Sequence, residues 1–176
     1  MKWLTIAVFA AVLSLSGCSG EVVEPQQSFS SAQERLYQDA FEVYSQFFEL
    51  DYALEQLGGA ETLPDEIKQY VMGPELESIT QALYNGWQLG LHYTGENSDV
   101  IDSWQRISDP EQGSGAFLRI AVCRHHESTD LLDAEGAVRI AANTRIVLAE
   151  VSFARDSDGS IKVYDVATEK VESCPF

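Results

Sequence analysis

Two apolar stripes run side by side between residues 36 and 57, and together they dictate a long amphipathic helix. Leu36, Ala40, Val43, Phe47, Leu50, Leu54 and Leu57 recur at alternating spacings of four and three. That spacing keeps returning to one face of a helix with 3.6 residues per turn. Tyr37, Phe41, Tyr44, Phe48 and Tyr52 form a second stripe beside the first. A face this wide and this rich in rings requires a broad apolar surface to cover it. Ser30 or Ser31 is placed to cap the helix, with Glu34 three residues after Ser31 as in a capping box. Gly58-Gly59 stops it.

The rest of the chain supplies the cover. Leu63-Pro64-Asp65-Glu66 opens a short helix to about Val71, with Pro64 suited to a first turn. A third helix is expected from Pro74 to about Gln88, with Leu76, Ile79, Leu83 and Trp87 on one face. After Leu91 the period changes from helical to alternating. Strands are predicted over residues 100–104, 117–127, 139–154 and 160–168. The Pro- and Gly-bearing stretch 109–115, a turn at 133–136 and a hairpin turn at 156–159 separate them. In the second of these strands Leu118, Ile120 and Val122 share one face, while Phe117, Arg119, Ala121, Cys123 and His125 share the other. Helices first and an antiparallel sheet of about four strands after them predict an α+β domain over residues 32–176, with the sheet wrapped over the long helix.

Ahead of that domain the chain begins Met1-Lys2, followed by an uncharged, mostly apolar run from Trp3 to Leu15 and then Ser16-Gly17-Cys18. This is the order of a secretory signal, and the run is too short for a spanning helix, which needs about 20 residues. Leu15-Ser16-Gly17-Cys18 resembles the bacterial lipobox. The resemblance implies a signal peptide over residues 1–17, a diacylglyceryl thioether on Cys18, and a lipid-anchored protein on the extracytoplasmic face of the cell membrane. Acyl chains anchor by burying CH₂ groups at about 0.8 kcal/mol each. Residues 18–31 are the lipidated cysteine and a polar, flexible tether.

Of the 176 residues, 11 are basic and 28 acidic, a formal net charge of −17. Such a field repels polyanions, so nucleic acid is not an expected partner. It keeps a domain soluble near a membrane, and it would attract a basic partner or cations. Three cysteines are present. With Cys18 committed to lipid, Cys123 and Cys174 remain, and in an oxidising compartment such a pair usually forms a disulfide; two separate free thiols are the alternative. A bridge would close a loop of about 50 residues, worth about 4 kcal/mol of chain entropy.

Helices followed by a sheet meander are similar to the NTF2-like (cystatin-type α+β cone) fold. The stretch A-V-C-R-H-H-E-S-T-D-L-L-D-A-E-G-A-V, the R-D-S-D-G-S-I-K-V-Y-D-V hairpin and the terminal Cys174 look like a group of secreted lipoproteins of Gram-positive, high-GC bacteria. In that group the cysteines at positions 123 and 174 would be paired. In cone folds the long helix crosses the sheet, and a pocket there would be lined by Tyr37, Phe41, Tyr44 and Phe48, with Trp87 and Trp104 beside them. These rings could instead simply fill the core.

No catalytic motif is found: G-x-S-x-G, H-E-x-x-H and the P-loop are missing from the sequence, and no catalytic residue, metal ligand or cofactor is assigned. Adjacent His125 and His126 point to opposite faces of a strand and cannot chelate one ion together. Asp156 and Asp158 fit a hairpin turn better than a calcium loop, because Ala154 would fall at a ligand position. Asp51, Arg119 and His125 are the groups that a cavity enzyme of this fold would have to use, and Arg119 and His125 fit the solvent face better. The expectation is therefore a non-enzymatic envelope domain that binds a protein partner or a small apolar ligand. A cavity enzyme and an interaction module of a membrane assembly are the alternatives.

Overall fold

A computed structural model describes residues 30–176. The expected signal segment, Cys18 and the expected tether as far as residue 29 lie outside the described residues. The long helix α1 spans Ser31–Gln56. Its N-cap is Ser30, whose Oγ accepts from the Gln33 N–H at 3.3 Å while Gln33 Oε1 accepts from the Ser30 N–H. The capping box therefore closes on Gln33 and not on Glu34, because the cap lies one residue ahead of Ser31. Glu34 instead pairs with Arg106, 2.5 Å away.

Helix α2 covers only Asp65–Lys68, shorter than the apolar pattern predicts. The chain leaves the helix because its next residues pair with a sheet edge: Tyr70 accepts from the Val163 N–H at 2.8 Å, and the Met72 N–H donates to Val163 at 2.9 Å. Helix α3 runs Gly73–Gln88. Seven strands follow: β1 His92–Tyr93, β2 Ser98–Arg106, β3 Leu118–Ser128, β4 Leu131–Leu132, β5 Val138–Ile140, β6 Asn143–Arg155 and β7 Ile161–Val171. They form two antiparallel sheets, one of four strands ordered β2-β3-β6-β7 and one of three ordered β1-β4-β5. The fold class is α+β.

The second sheet is the main departure from the pattern read in the sequence. The strand expected over residues 139–154 is two strands in different sheets. Asp130 Oδ1 accepts from the Ala142 N–H at 2.6 Å at the break between them. Buried Asp133 organises the β4–β5 turn by accepting from the Ala137 N–H at 2.8 Å and from Arg139 Nε at 2.7 Å. Strands of two and three residues are too short to display an alternation.

The core lies between α1 and the four-stranded sheet. Ala40, Tyr44 and Phe47 of α1 are buried with Ile120 and Val122 of β3, Ala149, Val151 and Phe153 of β6 and Val163 of β7. Each large apolar side chain buried there contributes about 1.5–3 kcal/mol. On the opposite face of β3, Cys123 is fully buried and bonded to Cys174. The chain end is thereby fixed to the outer face of the sheet, where Ser103 Oγ donates to the Phe176 carbonyl at 3.3 Å. The bridge spans 51 residues of sequence, and the loop-entropy relation gives about 4 kcal/mol for that length. Urea denaturation of Cys174→Ala should lose about 3–4 kcal/mol relative to wild type; a loss below about 1 kcal/mol would show that the bridge adds little to the fold.

Candidate functional site: a polar cleft between helix and sheet

The apolar face ends partway along both layers, and it ends at the same place. On β3 the core row Leu118, Ile120, Val122 continues, two residues at a time, to Arg124 and His126. On α1 the positions seven residues after Tyr44 and Phe48 are Asp51 and Glu55, and Tyr52 follows Phe48 by four. One face of each element thus changes from apolar to charged. Across the sheet, His126 stands opposite Asp99 on β2 and Arg145 on β6, and Arg124 stands opposite Val147. Helix α3 adds Glu75 and Ser78. These groups line a cleft of about 470 Å³. A second lobe of about 420 Å³ shares Asp51, Glu55, Glu75 and Ser78 with it and is otherwise mostly apolar, with Ile79, Leu83, Leu91 and Leu131 in its wall. Both volumes fall in the range of small-molecule sites.

Asp99 is the centre of the sheet wall. Its side chain is only 8% exposed. His126 Nδ1 lies 3.1 Å from Asp99 Oδ2, and Arg124 Nη1 lies 3.6 Å from the same oxygen. The Arg124 guanidinium also sits 4.7 Å over the Phe48 ring, a cation–π arrangement that holds it in place. Asp99 Oδ1, Arg124 Nε and the Tyr52 hydroxyl are buried and have no hydrogen-bond partner. All three residues line the cleft. Buried polar atoms are nearly always satisfied, and in a cleft of this size water or a polar ligand can supply the partner.

The helix wall is electrostatically strained. Burial, and then repulsion from Glu75, pushes the Asp51 carboxyl up to about 6. Burial pushes Glu75 up to about 7, against the Val166 N–H that donates to its Oε2 at 3.2 Å. Glu55 is pushed up to about 7, first by loss of hydration and then by Asp51. It stands at the rim with its side chain open to water, so screening blunts that effect. Tyr52 is held above its ordinary value by burial and then by Asp99. Around neutral pH the helix wall can therefore hold or release protons, which ordinary surface carboxylates at that pH cannot do.

Of the rings named from the sequence, Tyr44 and Phe48 line the cleft. Tyr37, Phe41 and Trp104 lie toward the other end of the helix, away from it: Phe41 stacks on Trp104 at 4.9 Å, and the Tyr37 hydroxyl donates to Asp109 at 3.5 Å. Trp87 is 45% exposed and packs against Tyr84. Asp51 is in the cleft. Arg119 and His125 are on the other face of β3, where Arg119 donates to the Ser108 carbonyl at 3.0 Å and His125 pairs with Asp102. Sequence reasoning missed Glu55, Glu75, Asp99, Arg124 and His126. The signal for two of them was the alternation itself, which carries the core face of β3 past Val122 to Arg124 and His126. In the β6–β7 hairpin turn, Asp156 Oδ1 accepts from the Asp158 and Ser160 N–H groups, and no group of three or more metal-ligating side chains occurs among the described residues.

No protein-family model matches the chain, and no curated protein matches it.

The raised carboxyls set a stability prediction. Asp51 and Glu75 hold protons more tightly folded than unfolded, so the favourable contribution is complete below about pH 4 and is lost as pH rises through about 6 to 7. Asp51→Asn and Glu75→Gln remove the charge without removing the volume. At pH 8 each should stabilise the protein by about 1 kcal/mol after discounting for partial exposure, and at pH 4 the gain should vanish. Equal effects at both pH values in urea denaturation would contradict the assignment.

Proposed function

We propose that the chain is a lipoprotein, anchored through Cys18 on the extracytoplasmic face of a membrane, whose domain binds a small polar ligand in the cleft between α1, α3 and the sheet. The observation that carries this reading is the set of buried, unpartnered polar atoms on residues that line one cleft: Asp99 Oδ1, Arg124 Nε and the Tyr52 hydroxyl. A core that merely filled space would not retain them, since each costs about 1–3 kcal/mol when left unsatisfied. Helices packed on one face of a four-stranded antiparallel sheet, with a cleft at one end of the seam, support an NTF2-like cone as the fold. The ligand expected from the aromatic stripe was apolar; the residues that line the cleft favour a polar one.

A cavity enzyme is the second reading, and the Asp99–His126 pair favours it. A carboxylate against Nδ1 fixes the imidazole and leaves its other nitrogen for proton transfer, with Asp51 or Glu75 as a partner acid. No nucleophile stands beside His126 in its hydrogen-bond contacts, so binding without chemistry is the reading adopted.

Two measurements test the proposal. Acyl labelling should mark the wild type and not Cys18→Ala; equal label in both would remove the anchor. A fragment screen followed by amide chemical shifts should concentrate its hits on residues 51–55, 75–78, 99 and 124–126. Hits elsewhere only, or none, would remove the cleft as a binding site.

A further inference from the structure

We infer that the ligand of this cleft is an organic cation with an apolar body, its ammonium group held between Asp51 and Glu75 and its apolar part in the second lobe. This deepens the reading of the cleft as a polar-ligand site and rests on it.

The Asp51 and Glu55 side chains have no hydrogen bond or ion pair among the described residues, and the Glu75 carboxyl has only the Val166 amide. The two α1 carboxylates are four residues apart and so share a helix face. Burying carboxylates near one another is costly; Arg124 offsets only part of that cost at Asp51 and Glu55, and an ammonium group removes the rest. An independent feature of the sheet wall asks for the same chemistry. Asp99 is more than nine-tenths buried, and its free Oδ1 can only accept when ionised, so it calls for an N–H or O–H donor from the cleft. The sheet wall offers an anion less. Arg124 and His126 are already engaged with Asp99, and the free Arg124 donor, Nε, is buried, while Arg145 and Lys170 stand exposed to water at the rim.

The shape argues against a bare metal ion. Asp51, Glu55 and Glu75 lie at the junction of the two lobes, and beyond them the wall is Ile79, Leu83, Leu91 and Leu131. Carboxylates around a charged head, with an apolar lobe behind, complement an alkyl or aryl amine of modest size.

The test uses three probes that share one ring system: tryptamine, neutral 3-ethylindole and anionic indole-3-propionate, titrated into the full chain at pH 8 and followed by calorimetry and amide shifts. Tryptamine should bind at least about tenfold more tightly than either isostere. Asp51→Asn should weaken tryptamine by about tenfold or more and leave indole-3-propionate unchanged or tighter. Glu75→Gln serves as the second variant, and thermal melts of both confirm that they fold. Indole-3-propionate binding as tightly as tryptamine, or tryptamine binding unchanged in both variants, would overturn the inference while leaving a ligand site in the cleft. If calcium chloride alone displaces tryptamine and shifts the same amides without it, the cleft takes a metal ion and the inference also fails. If no probe shifts any cleft amide, the cleft loses its role as a ligand site as well.

Discussion

Everything in this molecule is arranged around the contact between the aromatic face of Ser31–Gln56 and the apolar row shared by β3, β6 and β7. Tyr44 and Phe47 meet Ile120, Val122, Val151 and Phe153 there, all fully or nearly fully buried. A 26-residue helix of low intrinsic apolarity would not be stable alone; the sheet gives its rings somewhere dry to go. The disulfide then locks the back of the same sheet, because Cys123 lies on the strand that carries the core row. Loss of this seam would release both layers of the cleft together.

The cleft is the continuation of that seam under a different chemistry. Where the helix and β3 run on past their shared apolar rows the side chains become charged, and Asp51 is half-buried and the Asp99 side chain buried there. Asp51 and Asp99 are therefore partly or largely dehydrated without being fully neutralised. The raised carboxyls lower stability above neutral pH, and a binding site can tolerate that cost because a cation bound there would repay it. Stability and function pull on the same few groups.

The helices and the principal sheet were legible because their periods are long and unmixed: seven apolar positions at helical spacing for α1, and Leu118-Ile120-Val122 followed by a thirteen-residue strand for the sheet. The Cys123–Cys174 bond followed from counting. The three-stranded sheet was not legible, since β1 and β4 are two residues each and their pairing depends on contacts distant in sequence. The cleft was half legible. Tyr44, Phe48 and Asp51 could be placed because they lie on one strongly periodic helix. Asp99, Arg124 and Glu75 could not, because a charged residue on a strand or short helix looks like a solvated face until the register shows which wall it belongs to. Arg119 and His125 lie on the solvent side of β3, as the alternation reads, and Arg124 and His126, each one position away from that face, carry the cleft side.

The central claim is that the helix wall carries dehydrated carboxylates whose burial and mutual repulsion outweigh the attraction of nearby Arg124. A ¹³C NMR titration of the Asp and Glu side-chain carboxyls in the ligand-free protein tests it directly. Asp51 should titrate near 6 and Glu75 near 7, with Asp51 falling toward its ordinary value when Glu75 is replaced by Gln. Titration of both groups near pH 4, as for open surface carboxylates, would contradict the account.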